Sequence, residues 1–562
     1  TVAGLAMSFG SGAMSNTVQD IVDNAESIFI IGSNTSEQHP VIGSKIRQAI
    51  IRRKVKLIVA DPRKIDIAEF SSIYLRHKAG TDVALINGLM HIILENNWQD
   101  QQYIDERCEN FEDFKATLAG YTPEIVSSIT GISVNQLIKT AEMMATHKPM
   151  AVFWAMGITQ HSTGVLNVLT LANLQMVLGN MGVPGGGVNP LRGQNNVQGA
   201  CDMGGLPNVF PGYQTVTNKE FIDKFNLAWQ TKSFTGEFDN KLSTKPGLTS
   251  TEMIPMAGDG KIKALYIMGE NPLVTDPDVY HTRKCLQACD FIVLQEIFPS
   301  DTSALADVLL PGVSFAEKDG TFTNTERRVQ LVRQAITPKG SAKPDWEILS
   351  NLAKKILKEE QREITGDFAS WDYKNASEIM EEIGALTPSY AGIHYDRLNN
   401  GESLHWPVKD AQHPGTPILH IGSFTRGKGK FHPTEHIDPK EMPDDEFPFL
   451  LTTGRVLYHW HAGEMTRRSS DLLEVYPGAY IEVHPEDAIK YGIRQNQQIT
   501  LNSRRGTTRG KALITDRVSP GLVFANFHFP GEQNTNNLTI AALDPVAKIP
   551  EYKVCAVNLV IE

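Results

Sequence analysis

The chain has 562 residues, too many for one hydrophobic core; at about 100–200 residues per domain it should form three or four. Hydrophobic residues make up 41% and charged residues 21%, an ordinary globular balance. The formal charge of −11 argues against nucleic acid as the main partner, so an anionic ligand would need Arg and Lys placed locally against the global field.

The opening stretch, TVAGLAMSFGSGAMSN, starts in mid-pattern without Met, so the chain reads as processed, cut or incompletely represented. No secretory signal is visible, and no apolar run approaches the ~20 residues that span a bilayer. SIFIIGSN (27–34) is an apolar run ending in Gly-Ser-Asn. HPVIGSKIRQAIIRRK (39–54) has helical spacing, and VKLIVADPR (55–63) is a second apolar run ending in Asp-Pro. Strand, loop, helix, strand predicts a parallel, buried sheet. KPMAVFWAMGITQHSTG (148–164), KALYIMGENP (263–272) and DFIVLQEIFPSDTSALADVLLP (290–311) repeat the formula of a buried run followed by polar residues. In open α/β sheets, ligands sit outside the carboxyl ends of such strands. Residues 346–440 are less regular and suggest helices, then an irregular linker. From Glu446, short runs such as FPFLLTTGR, AYIEVHP, QQITLNS, GKALITD and GLVFANFHF alternate with turns and predict a β-barrel. The expected fold is therefore α/β, with parallel, doubly wound sheet domains and a C-terminal β-barrel, divided at 1–194, 195–350, 351–440 and 441–562.

Cys108, Cys201, Cys285, Cys289 and Cys555 are scattered, and Cys285-Leu-Gln-Ala-Cys289 has no third or fourth ligand nearby, so these read as reduced thiols. Cys201-Asp202 has no adjacent base and reads as structural. The strand-end loops Gly32-Ser33-Asn34, Asp61-Pro62-Arg63, Gly80-Thr81-Asp82, Met156-Gly157 with Gln160, and Gly269-Glu270-Asn271 each offer backbone donors beside a small polar side chain. Turns use the same residues for their own geometry; five such loops together point to a shared ligand. A carboxylate at Asp61 could accept from a ribose or a guanine edge. No loop matches G-x-G-x-x-G or a Walker pattern. GVNPLRGQNNVQGACDMGG (187–205) holds a single cation, Arg192, among amides and glycines; its planar fork suits a carboxylate or oxyanion, and a solvated surface Arg is the alternative. TTGRVLYHWHAGEMTRRS (452–469) concentrates Arg455, His459, Trp460, His461, Arg467 and Arg468, suited to a phosphate-bearing heterocycle or to a solvated basic face. No third ligand is spaced to make His459 and His461 a metal site. The tail 537–557, with Asn537, Asp544, Lys548 and Lys553 around its turns, is uninformative alone.

In this order the pieces resemble the catalytic subunit of molybdenum- or tungsten-dependent formate dehydrogenases, within the molybdopterin oxidoreductase family. NPLRGQNNVQGACDMG is the most specific match, and MGITQHSTG, ADPRK, GTFTNTERRVQ, GRVLYHWHAGEMTRR and DPVAKIPEYK resemble other family segments in the right order. The resemblance covers nearly the whole chain. It implies an oxidoreductase that interconverts formate and carbon dioxide at a bis(molybdopterin guanine dinucleotide) Mo or W centre. It also implies one dinucleotide on 1–194, the other on 195–350, and a dinucleotide-binding barrel at 441–562. Arg192 would hold the formate carboxylate, and His161 would assist proton movement. Gly32, Asn34, Asp61, Arg63, Gly80, Asp82, Met156, Gly157, Gln160, Gln194, Gly269, Asn271 and Asp345 would line the dinucleotides. Arg455, Leu457, His459, Trp460, His461, Asn537 and Lys553 would close over them.

By resemblance, a Cys or selenocysteine metal ligand followed by His, a four-iron four-sulfur domain and a Lys between cluster and pterin precede Thr1. None is in this chain, which therefore supplies no metal ligand of its own. A reading frame opened just after a selenocysteine codon, or a fragment, would produce such a start. The implied partners are electron-transfer subunits carrying iron–sulfur clusters, with no nucleic acid and no direct membrane insertion, in an anaerobic cytoplasmic setting. A nitrate reductase-like enzyme and a non-catalytic fragment or structural subunit are the alternatives.

Overall fold

A computed structural model describes residues 1–233, 242–368 and 370–561. The fold is α/β with parallel sheets and a closed barrel near the C-terminus, as the run lengths predict. By contact the chain divides into two units interleaved in sequence: 1–193, 271–284 and 418–562 form one, and 194–270 with 285–417 the other.

The first unit is built on a five-stranded parallel sheet in the order Ile73–Leu75, Lys56–Ala60, Ser27–Ile31, Met150–Trp154, Val188–Pro190. Past the opening Ser27 and Lys56, its central strands are apolar at every position because both faces are covered. Ile28, Ile30, Leu57, Val59 and Phe153 face one core with Ile46 and Ala49 of the helix Pro40–Arg53. Phe29, Ile31, Ile58, Val152 and Trp154 face the other with Leu85, Leu89 and Leu171, from the helices Asp82–Glu95 and Gly164–Val177. Alternation along each strand thus divides one apolar run between two cores. The helix Gly164–Val177 carries buried amides, and each is satisfied: Asn167 donates to Ile158 O at 2.8 Å, and Gln175 to Met150 O and Gly187 O at 2.9 and 2.6 Å.

The strand order reverses between Ser27–Ile31 and Met150–Trp154, a switch point that leaves a crevice at the strands' carboxyl ends. The barrel belongs to the same unit. It closes in the order Phe449–Gly454, Leu522–Asn526, Tyr480–Val483, Thr507–Ile514, Gln498–Asn502, Cys555–Ile561. Phe449, Leu451, Ile481, Val483, Leu501 and Val523 fill it. The final strand, absent from the runs read as strands above, is what closes it.

The second unit contains a three-stranded parallel sheet, Ala264–Met268, Phe291–Glu296 and Val308–Pro311. Beside it an antiparallel set pairs Gly320–Thr323, Arg328–Val332 and Leu404–His405. The buried carboxylate of Asp202 organises one corner, accepting from the hydroxyls of Tyr390 at 2.5 Å and Tyr213 at 2.8 Å and from Gln198 at 2.8 Å. Among the described residues no helix is long and apolar enough to cross a membrane, no three His, Cys, Asp or Glu side chains could hold a metal, and all five cysteines are free.

Candidate functional site

At the switch point the backbones of Gly32 and Gly157 touch. Gly157 N donates to Gly32 O at 3.1 Å, and a Cβ on Gly157 would lie 2.6 Å from that oxygen. Gly32 has φ +57°, a left-handed conformation that glycine adopts without strain. The loop after Gly32 then presents polar atoms that the protein does not satisfy. Both amide atoms of Asn34, the Ser36 hydroxyl and Nδ1 of His39 are buried without a partner. Asn34 occupies the capping position before Thr35–Gln38, yet its side chain makes no capping bond. Orphaned buried polar groups are costly, and four within six residues at a switch point mark a ligand cradle.

The wall beside this cradle is cationic and short of acid. Burial pulls the Arg455 guanidinium down to about 10; it lies 4.8 Å over the Trp460 ring and 3.4 Å from His461 Nε2. Among the described residues no carboxylate forms an ion pair with Arg455. Burial lowers His39 and His461 to about 4 and His528 to about 3, so these imidazoles are neutral and add no further positive charge. Lys553 donates to Thr453 O at 2.6 Å; burial pulls it down to about 8 while Asp61 opposes the shift. Burial pushes Asp61 up to about 6, and one of its oxygens accepts from Arg63 N at 2.9 Å. A cation held among neutral rings, with buried amide and hydroxyl groups nearby, suits a phosphate-bearing heterocycle. Arg192 follows the edge strand Val188–Pro190. Its carbonyl accepts from His39 Nε2 at 2.8 Å, and one guanidinium nitrogen lies 3.5 Å from Gly12 O.

Several residues expected to line a ligand also make firm contacts within the protein. The Arg63 guanidinium is turned into a buried bidentate pair with Glu482, with Nε–Oε2 at 2.7 Å, and stacks 4.1 Å over Phe524. Its charge is neutralised inside the protein, fastening the sheet to the barrel. Asp82 pairs with His77 at 3.0 Å. His161 is committed at both ring nitrogens, Nδ1 to Glu551 at 2.7 Å and Nε2 to Gly157 O at 2.9 Å. Against the desolvation that opposes it, Glu551 holds His161 above its usual range, and the paired ring anchors the loop that carries it. Gly80, with φ +82°, accommodates Pro439, whose Cγ would lie 2.4 Å from an added Cβ. His459 is buried between Thr466 Oγ1 and Tyr476 O at 3.1 and 2.8 Å, spoken for by the protein. Both amide hydrogens of Asn537 go to backbone, at Thr507 O and Gly531 O.

Asn271 donates to Glu464 at 2.7 Å, the Gln160 carbonyl accepts from Tyr552 N at 3.2 Å, and Met156, Leu457 and Trp460 are partly exposed. In the second unit, Gln194 precedes the helix Val197–Asp202. Gly269 has φ +65° and open space around it, and Asp345 opens a helix while accepting from Gln295 at 2.7 Å and from Lys318. The sequence reading missed Ser36, His39, His528, Glu482 and Glu551. Of these only His39, placed before Pro40 at a helix start, carried a local signal.

The Molybdopterin oxidoreductase family profile matches residues 3–355, and that of the Molydopterin dinucleotide binding domain matches residues 449–556. The F420-dependent formate dehydrogenase 1 subunit alpha of Methanococcus maripaludis is 44% identical over 100% of this chain and 80% of its own length. The F420-dependent formate dehydrogenase subunit alpha of Methanocaldococcus jannaschii is 46% identical with the same coverage of both chains. Formate dehydrogenase H of Escherichia coli is 36% identical over 100% of this chain and 76% of its own. Among solved structures, acetylene hydratase from Pelobacter acetylenicus superposes with a TM-score of 0.73 at 16% identity, covering 100% of this chain and 80% of that one, a likeness of fold.

Proposed function

The chain belongs to the molybdopterin oxidoreductase family, and from that premise we propose that it interconverts formate and carbon dioxide at a bis(molybdopterin guanine dinucleotide) centre of Mo or W. The orphaned amide of Asn34, with Ser36 and His39 beside touching glycine backbones, fits a dinucleotide on the rim of 1–194. Arg455 and Lys553 supply positive charge for its phosphates from the barrel side. The segment 195–350, with Gln194 at its edge, is assigned the second dinucleotide, with Gly269 and Asp345 on its side of the site.

When bound, the metal centre supplies the two-electron acceptor for the reaction formate → CO₂ + H⁺ + 2e⁻. The residues of this chain bind and orient. Arg192 takes the formate carboxylate in two parallel hydrogen bonds, a planar match that Lys lacks. The neutral His39 and His461 add no charge of their own, so the positive charge of the wall is that of Arg455, which no carboxylate among the described residues pairs. His161 and Glu551 hold the loop carrying Gly157 in place. Electrons leave through iron–sulfur partner subunits; two relatives are named for F420 dependence, and a deazaflavin-linked partner is the first to test. The free cysteines are in keeping with a reducing, cytoplasmic location.

The observation that carries this reading is Arg192 in NPLRGQNNVQGACDMG, its backbone tied by His39 to the acid-poor wall. The test is a dye-linked assay on the metal-loaded protein, with formate and nitrate compared and Mo, W and guanine measured on the same sample. Formate-dependent dye reduction is expected. Nitrate-dependent dye oxidation without formate activity would replace formate with an oxyanion substrate, and a protein that retains neither metal nor guanine would remove the enzymatic reading.

A further inference from the structure

The main chain around Arg192 has little regular support. The last sheet-type bond is Leu191 N to Trp154 O at 2.8 Å, and beyond it one imidazole holds the backbone from the side while a second packs against it. His39 Nε2 reaches Arg192 O at 2.8 Å, and the His461 ring lies against the next residue, Gly193. His39 is itself well placed to serve as a fixed point. Its amide donates to Thr35 O at 3.1 Å, and its carbonyl accepts from Gly43 N at 2.9 Å at the start of the helix Pro40–Arg53.

The protonation of His39 follows from the same contacts. Burial lowers it to about 4, so at neutral pH the ring carries one proton. A carbonyl can only accept, so that proton is on Nε2 and is used on Arg192 O. The other nitrogen, Nδ1, is a buried acceptor without a protein partner. His39 therefore has no proton to offer a substrate oxygen, and its effect on an anion runs through Arg192.

We infer that His39 is the positioning residue for Arg192: its clamp on the Arg192 carbonyl sets the direction in which the guanidinium leaves the main chain. This rests on the substrate-binding role proposed for Arg192. An Arg head sits far from its own backbone, so a peptide rotation of about 10–20° displaces it by more than the ~0.5 Å that a productive binding geometry tolerates.

The test uses the full-length, cofactor-loaded protein with two substitutions. His39→Gln places an amide nitrogen near the position of Nε2 and keeps the donor; His39→Phe keeps a ring and removes it. For His39→Phe the formate KM should rise about tenfold or more and kcat, taken per bound Mo because Nδ1 of His39 also faces the cradle, should fall less. His39→Gln should return KM to within about threefold of the parent. Independently of turnover, amide hydrogen exchange over 192–194 should accelerate about tenfold in His39→Phe and be restored in His39→Gln. Unchanged KM and exchange in His39→Phe would overturn the inference, and so would an equal loss of cofactor and activity in both variants. If His39→Phe does not fold, His39→Asn, whose amide is too short to reach the carbonyl, takes its place against His39→Gln. If the loaded parent does not oxidise formate, the functional reading falls, and the exchange measurement still decides whether the clamp exists.

Discussion

Single side chains here are governed by whether the protein spends them on itself. Arg63 and Arg455 are both buried guanidinium groups beside the switch-point crevice, but Arg63 has Glu482 and Arg455 has no carboxylate among the described residues. Only the second is left to attract an anion. Arg192→Lys keeps the charge and loses the fork. A charge-assisted hydrogen bond of about 1.5–3 kcal/mol, at 1.36 kcal/mol per decade, gives a fall in kcat/KM of roughly 10- to 150-fold, with Mo and guanine content unchanged. Lys553 gives a pH signature. It sheds its proton through about 8 in the ligand-free protein, so affinity for an anionic nucleotide probe such as GDP should decline as pH rises from 7 to 9. Lys553→Met should bind more weakly at pH 7 and lose that dependence, as titration calorimetry would show.

At the scale of elements, the loop that carries Gly157 is held by the Glu551 segment: Ser162 N and Oγ both donate to Glu551 Oε2 at 2.8 Å, and His161 pairs with Oε1. Glu551→Gln leaves a buried imidazole without its counter-ion and should cost about 3–5 kcal/mol. His161 is raised, so its share is complete below the usual 6.5 and is lost as pH climbs through the folded value. Glu551 is lowered by His161 against desolvation, so its share is complete above 4.5 and is lost as pH drops through the folded value. The gap between parent and variant in urea titrations should therefore be widest between 4.5 and 6.5.

This pair also marks where the sequence stops being legible. Uniformly apolar runs such as MAVFW can only be strands buried on both faces, so the sheet could be read from them, as could the glycine that ends Ser27–Ile31. The partners that His161 and Arg63 hold within the protein lie far along the chain, Glu482 being 419 positions from Arg63, so neither contact could be read from the residues around them. No local pattern announces an ion pair over that distance. The strand Cys555–Ile561 is itself rich in apolar and β-branched residues, but its neighbours, Phe449–Gly454 and Gln498–Asn502, are remote in sequence, so nothing local announces that it closes the barrel.

Across the whole molecule, contact density joins the first parallel sheet and the barrel in one unit and leaves 194–270 with 285–417 as another. Phe153→Ala in the sheet and Val523→Ala in the barrel should therefore destabilise the same calorimetric transition; for a buried Phe the cost is about 3–5 kcal/mol. Phe225→Ala, in the small core with Leu386, should move a different transition. Separate shifts for the first two substitutions would show that sheet and barrel unfold independently.

The link between Arg63 and Glu482 has a further consequence during synthesis. A ribosome adding about 5–20 residues per second needs roughly 20–80 s to make the intervening 419 residues. Throughout that interval Arg63 lacks its Glu482 partner, and the sheet edge that the barrel will cover lies bare.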